Sequence, residues 1–273
     1  MSEAVTGGGA GAASSTRAGA WRHGVLAGLA LASLFGFFLL APIAQDQAYH
    51  RFADGRAWLG VPNFANVASN LPFAVVGAWG LSWLRTERTR AASTARAGRP
   101  AWVVFFFGVL AVTGGSAWYH LRPDDTSLVW DRLPMTLGFT GLTVAVLGEW
   151  VTPRAARLLW PGLALGAASV IVWAATGDLR LYYGVQLMPM VVAAAALSLF
   201  RAPFTHTWLL GIAVLLYAAA KVVEAHDVAI WEATAGLIGG HPLKHLLAAG
   251  ATCCVLAMLR ARRPSGAVGS PGS

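Results

Sequence analysis

The sequence predicts an all-α membrane protein, a seven-helix transmembrane bundle with one added N-terminal transmembrane helix. Three observations predict it. Hydrophobic residues make up 56% of the 273 residues and charged residues only 12%, with a mean hydropathy of +0.58. A soluble domain of this length carries far more charge on its surface. The apolar residues gather into eight runs, each about long enough, at roughly 1.5 Å per residue, to cross about 30 Å of hydrocarbon. The arginines fall mostly in the short connections between those runs. A formal net charge of +8 would suggest nucleic acid in a soluble protein. Placed in connections, the same charges set membrane orientation instead, and nucleic-acid binding is not expected.

Residues 1–20 are mainly Gly, Ala, Ser and Thr and predict a disordered N-terminal tail. Residues 24–44 form the added span, preceded by Arg17 and Arg22. The rival reading is a cleaved signal peptide ending near Pro42-Ile43-Ala44, for which the apolar core is long. Further spans are expected at about 64–84, 101–120, 128–149, 157–176, 182–200, 207–225 and 241–259, each bounded by Arg, Pro, Gly or Asp. Residues 261–273 predict a disordered C-terminal tail.

Numbering the spans alternately puts thirteen arginines on one side, namely Arg17, Arg22, Arg85, Arg88, Arg90, Arg96, Arg99, Arg154, Arg157, Arg201, Arg260, Arg262 and Arg263. The other side receives four, Arg51, Arg56, Arg122 and Arg180. Arginine excess marks the cytoplasmic side, so both termini are expected there.

Most remaining features have bland readings. Cys253 and Cys254 are adjacent, a poor geometry for a mutual disulfide. Trp58, Trp118, Trp130, Trp150, Trp160 and Trp208 cluster near span ends as an aromatic belt, and Gly162, Gly166 and Ala167 read as helix-packing contacts. His23, His50, His206 and His226 read as interfacial. Lys221, Glu224 and Asp227 are spaced by three and suggest a local ion pair. Pro134 and Pro189 interrupt apolar runs, which membranes tolerate beside a cavity or another helix.

One constellation stands apart. In Gly114-Gly-Ser-Ala-Trp-Tyr-His120, Ser116 and His120 are four apart and share a helix face, with Asp131 eleven residues later in Asp131-Arg-Leu-Pro-Met135. In Gly239-Gly-His-Pro-Leu-Lys-His245, His241 and His245 repeat that spacing. By the arginine count these residues all fall at the non-cytoplasmic end of their helices. Two imidazoles at i, i+4 with a third from another helix can hold one zinc ion and leave its fourth position open. From the residues alone, a metal site and a neutral hydrogen-bonded cluster both stay open.

The Ser-x-x-x-His, Asp-Arg-Leu-Pro-Met and Gly-His-x-x-x-His motifs resemble those of the alkaline ceramidases, within a wider group of seven-helix membrane hydrolases that includes the adiponectin-receptor relatives. Phe64-Ala-Asn-Val-Ala-Ser-Asn-Leu-Pro-Phe73 is similar to that family's first helix, and the resemblance covers residues 60–260. It implies a seven-helix domain that binds Zn2+ through His120, His241 and His245. Asp131 and Ser116 would be the catalytic pair and the amide of a ceramide-like lipid the substrate. Two departures are visible: Asp46 and Asp54 are the only acids where eukaryotic members hold calcium, and Lys244 stands where ceramidases carry an aromatic residue. Rival functions are a zinc-containing lipid-sensing receptor or binding protein without turnover, a lipid ester hydrolase, and ion passage along Lys221, Glu224 and Asp227. The apolar stretch from Trp208 to Tyr217 opposes the last.

Overall fold

The computed structural model describes residues 9–86 and 98–265. The chain is an all-α membrane protein, and among the described residues no strand forms, only isolated bridges. The long elements are α1 (Gly9–Phe35), α2 (Phe64–Ala68) running into α3 (Leu71–Arg85), α4 (Arg99–Leu121), α5 (Asp125–Val146), α6 (Leu159–Thr176), α7 (Arg180–Leu199), α8 (Trp208–Ala225) and, after the short α9 (Asp227–Ala233), α10 (Gly240–Ala261). Seven of these spans are long and apolar enough to cross a membrane. The eighth, α5, is 22 residues long but more polar, because it carries Asp131, Arg132 and the buried Thr136 and Thr140.

The helices close into a ring: α3 packs on α4, α4 on α5, α5 on α7, α7 on α8, α8 on α10, and α10 back on α3. Outside it, α6 lies across α5 and α7, and α1 lies against α7. With lipid rather than water around them, helices gain little from burying apolar surface against each other, so close contact depends on small residues. A Cβ on Gly115 would sit 2.0 Å from the Trp130 carbonyl oxygen, and one on Gly108 would sit 2.5 Å from the Gly138 nitrogen, so α4 and α5 touch backbone to backbone. Gly184 gives the same approach between α7 and α1, at 2.4 Å from the Leu34 carbonyl oxygen. Gly162 and Gly166 receive Thr140 and Thr136 of α5, the packing role expected of them.

Several boundaries differ from the sequence reading. The stretch expected to be a disordered tail is helical from Gly9, and α1 stops at Phe35 with a 3₁₀ turn over Gly36–Leu39. Alanine has the highest helix propensity, and Ala10, Ala12, Ala13, Ala18 and Ala20 outweigh the glycines between them. Residues 262–265 are tied back rather than loose, by Thr205 N to the Arg263 carbonyl at 2.9 Å and Ser265 N to the Pro203 carbonyl at 3.0 Å. Residues 1–8 and 266–273 of the expected tails, and Arg88, Arg90 and Arg96 of the charge count, lie outside the described residues. Trp150 is not a belt residue: it is 7% exposed, turned into the core by a π-helical turn over Leu147–Val151, whereas Trp58, Trp118, Trp130, Trp160 and Trp208 are at least half exposed.

Between α1 and α2, residues 40–63 cross one mouth of the ring with only a short 3₁₀ turn at Gln47–His50. The segment is anchored by Leu179 N to the Ile43 carbonyl at 2.8 Å and by Ala53 N to Asp227 Oδ2 at 2.8 Å. The ring interior beneath it holds a cavity of about 170 Å³, lined from α3, α4, α5, α7, α8 and α10 and by Gln45 and Tyr49 of the crossing segment. Pro134 lines it, as a proline beside a cavity should; Pro189 is buried inside α7 instead.

Candidate metal centre

His120 sits in the last turn of α4, and His241 and His245 face it from the first two turns of α10. All three are at most 4% exposed. Their rings are 4.9, 5.0 and 5.1 Å apart pairwise, and one nitrogen from each lies within 4.8 Å of the others. This buried group could hold a metal ion.

Local chemistry aims the rings. The Ser69 hydroxyl donates to the Asn66 carbonyl at 3.1 Å and lies 2.8 Å from His245 Nδ1. A hydroxyl has one hydrogen, so Nδ1–H donates to Ser69 and Nε2 keeps its lone pair for the centre. Asn63, at φ 49°, donates Nδ2–H to the His120 carbonyl at 2.9 Å and fixes the end of α4. His120 Nε2 then lies 3.3 Å from His245 Nε2. A tetrahedral ion with metal–nitrogen bonds of about 2.0–2.1 Å sets its ligand nitrogens about 3.3–3.4 Å apart. That match is the fit of this pair to a metal.

The third histidine is held differently. Asp227 Oδ1 accepts the His241 backbone N–H at 2.8 Å, satisfying an otherwise open donor at the start of α10. The Lys244 ammonium donates to His241 Nε2 at 2.9 Å and to Glu224 Oε1 at 2.8 Å. An ion binding through Nε2 displaces that donor, and Glu224 keeps it. Glu224 also pairs with Lys221, as the spacing suggested, and accepts the Tyr49 hydroxyl at 2.9 Å. Burial pushes the Tyr49 hydroxyl well above its ordinary pKa, so it remains a donor.

Phe52 covers the histidines, with its ring 4.8 Å from His120 and 4.6 Å from His241. His50, expected at an interface, braces this cover: its ring nitrogens lie 3.0 Å from the Tyr119 hydroxyl and 3.1 Å from Asp125 Oδ1. Asp54 is taken by a two-pronged contact from Arg56, at 2.8 Å on each oxygen. That guanidinium holds the Asp54 carboxyl below its usual range. Asp46 is occupied as the acceptor for Ala48 N.

Asp131 and Ser116 line the same cavity as His245, and the Ser116 hydroxyl faces the Asp131 carboxylate. From this polar end the cavity continues between Phe105, Val109, Leu142, Met190 and Val255. The eleven residues separating Lys244 from Val255, Asp131 from Leu142 and Phe105 from Ser116 each span about 16 Å of helix, roughly half the hydrocarbon thickness.

Of the five residues expected from the sequence, His120, His241 and His245 are grouped together, and Ser116 and Asp131 line the cavity that His245 also lines. The sequence did not assign Ser69, Asn63, Asp227, Tyr49 and Phe52 to the site; Asn63 and Ser69 had a signal as polar residues at the edge of an apolar run, and Asp227 one that pointed to an ion pair instead. No family model matches the chain, and no curated protein or solved structure matches it either.

Proposed function

We propose that the protein is a zinc-dependent intramembrane hydrolase that cleaves the amide bond of a ceramide-like lipid, in the manner its resemblance to the alkaline ceramidases implies. One observation supports the reading: of three buried histidines that could hold a metal, His245 lines a largely apolar cavity together with the Asp131 carboxylate and the Ser116 hydroxyl. Zinc held by His120, His241 and His245 would supply Lewis acidity, lowering the pKa of water from 15.7 to about 7 and polarising a carbonyl oxygen.

The chain's own groups divide the remaining work. Phe105, Val109, Leu142 and Val255 accept an acyl chain, which places its amide at the level of Ser116 and Asp131. The Asp131 carboxylate takes the proton of the attacking water and returns it to the leaving nitrogen. Ser116, one turn from His120, keeps that carboxylate oriented and offers a hydrogen bond to the carbonyl oxygen as it gains charge. Phe52 keeps bulk water from the histidines. The site faces the non-cytoplasmic side in this reading.

The test measures zinc content and fatty-acid release together on purified wild type, Asp131→Asn and a His241→Ala, His245→Ala double variant. The wild type should hold about one zinc per chain and the double variant almost none. Asp131→Asn should keep its zinc and lose about 10²–10⁴-fold in turnover, as expected for a lost general base. Equal metal in all three proteins would refute the metal site. Full metal with no release from any acyl amide would leave a binding protein.

A further inference from the structure

Arg132 is 5% exposed and lines the cavity next to Asp131. Its guanidinium is stacked 3.9 Å over the Trp173 ring and 4.7 Å from the Tyr182 ring, which fix its plane. Nη2 donates to the Gln45 side-chain oxygen at 2.6 Å, and Nη1 is buried with no hydrogen-bond partner. Among the described residues no carboxylate forms an ion pair with it. The nearby carboxylates are otherwise engaged. Glu224 takes Lys221, Lys244 and the Tyr49 hydroxyl, and Asp131 is faced by Ser116.

A charge within a span is costly to insert and is normally paired. The guanidinium is a planar fork suited to two oxygens of one anion. Here it is held rigid, has unused donor capacity, and is matched only by a neutral amide on the crossing segment. We propose that Arg132 is the anion-recognition residue of the cavity, and that the acyl lipid bound there carries an anionic oxygen group at its head. This deepens the proposed function, since it rests on the cavity holding an acyl amide, and it narrows the substrate class. The acyl chain lies among Phe105, Val109 and Val255, the amide at Asp131, and the anionic head between Arg132 and Gln45. The neutral head of a simple ceramide leaves that guanidinium unanswered.

The experiment uses the zinc-loaded full chain in detergent. Calorimetric titration compares N-decanoylglycine, whose head is a carboxylate, with N-decanoylethanolamine, whose head is a hydroxyl, and with decanoate. Wild type should bind the glycine amide about ten- to a hundredfold more tightly than the ethanolamide, the range for a charge-assisted hydrogen bond. Arg132→Gln should bring that ratio close to one, and Arg132→Lys should recover part of it. Equal binding of the two amides by wild type, a measurement that needs no variant to fold, overturns the proposal. A preference that survives Arg132→Gln also overturns it. So does an Arg132-dependent affinity confined to decanoate, which would assign the guanidinium to the released acid. Fatty-acid release from both amides separates this proposal from the hydrolase reading. Release without head-group preference removes the role of Arg132 alone, whereas preference without release removes turnover alone.

Discussion

Glu224 is a residue beside the histidines whose loss the structure makes costly. Its side chain is 9% exposed and serves two ammonium groups, Lys244 at 15% exposure and Lys221 at 45%. Glu224→Gln preserves the shape and leaves an acceptor for Tyr49, so only the charge is removed. Lys221 can turn to solvent and loses about 0–1 kcal/mol. Lys244 cannot, and breaking a buried pair by removing one partner costs about 3–5 kcal/mol. At about 2–4 °C per kcal/mol for a chain near this size, the unfolding midpoint should fall by roughly 6–20 °C. The released ammonium also stays on His241 Nε2, so zinc loading at limiting metal should drop. The assay is thermal unfolding and zinc content in detergent for wild type, Glu224→Gln, Lys244→Met and the double variant. Removing Lys244 in the Glu224→Gln background should recover most of both losses, since the uncompensated charge is then gone. A Glu224→Gln midpoint within about 2 °C of wild type, or a double variant no better than Glu224→Gln, would refute this account.

Two further outcomes are expected. Gly115→Ala places a methyl 2.0 Å from the Trp130 carbonyl oxygen, a backbone atom that cannot yield, and should destabilise by about 3 kcal/mol or more in the same unfolding assay; Gly114→Ala, with nothing within 4 Å, should be near neutral. A reporter fused to the C-terminus should be active in the cytoplasm, as the arginine asymmetry requires, and activity only outside would place the site on the opposite face.

The spans were legible because the bilayer demands long apolar runs, and a run is visible in one dimension. The break between α2 and α3 was not: residues 64–84 read as one span, yet the chain turns at Ser69 and Asn70 so that Ser69 can reach His245, 176 positions away. The Lys221–Glu224 pair was legible from its spacing, whereas the second partner of Glu224, Lys244, comes from another helix. Asp227 shows the limit of spacing arguments. It continues the three-residue row past Glu224, but α8 ends at Ala225 and the carboxylate turns to the His241 and Ala53 backbones instead. The crossing segment, with no periodicity to read, could be placed only in three dimensions.

The charges explain why these parts belong together. Asp131 and Glu224 face Arg132, Lys221 and Lys244 in the wall of one cavity, so the wall already carries more positive than negative charge. Neutral imidazoles add none, and a divalent cation on them makes the excess larger. In surroundings of low dielectric such an excess is unfavourable unless negative charge enters with the ligands. Glu224 pairs with both Lys244 and Lys221. Arg132, beside Asp131, is the cation of that wall with no ion pair among the described residues. A lipid with a neutral head brings no charge to offset that excess. In the proposed reading, a lipid with an anionic head would be drawn to the Arg132 end, with its amide at Asp131 and its acyl chain down the ring.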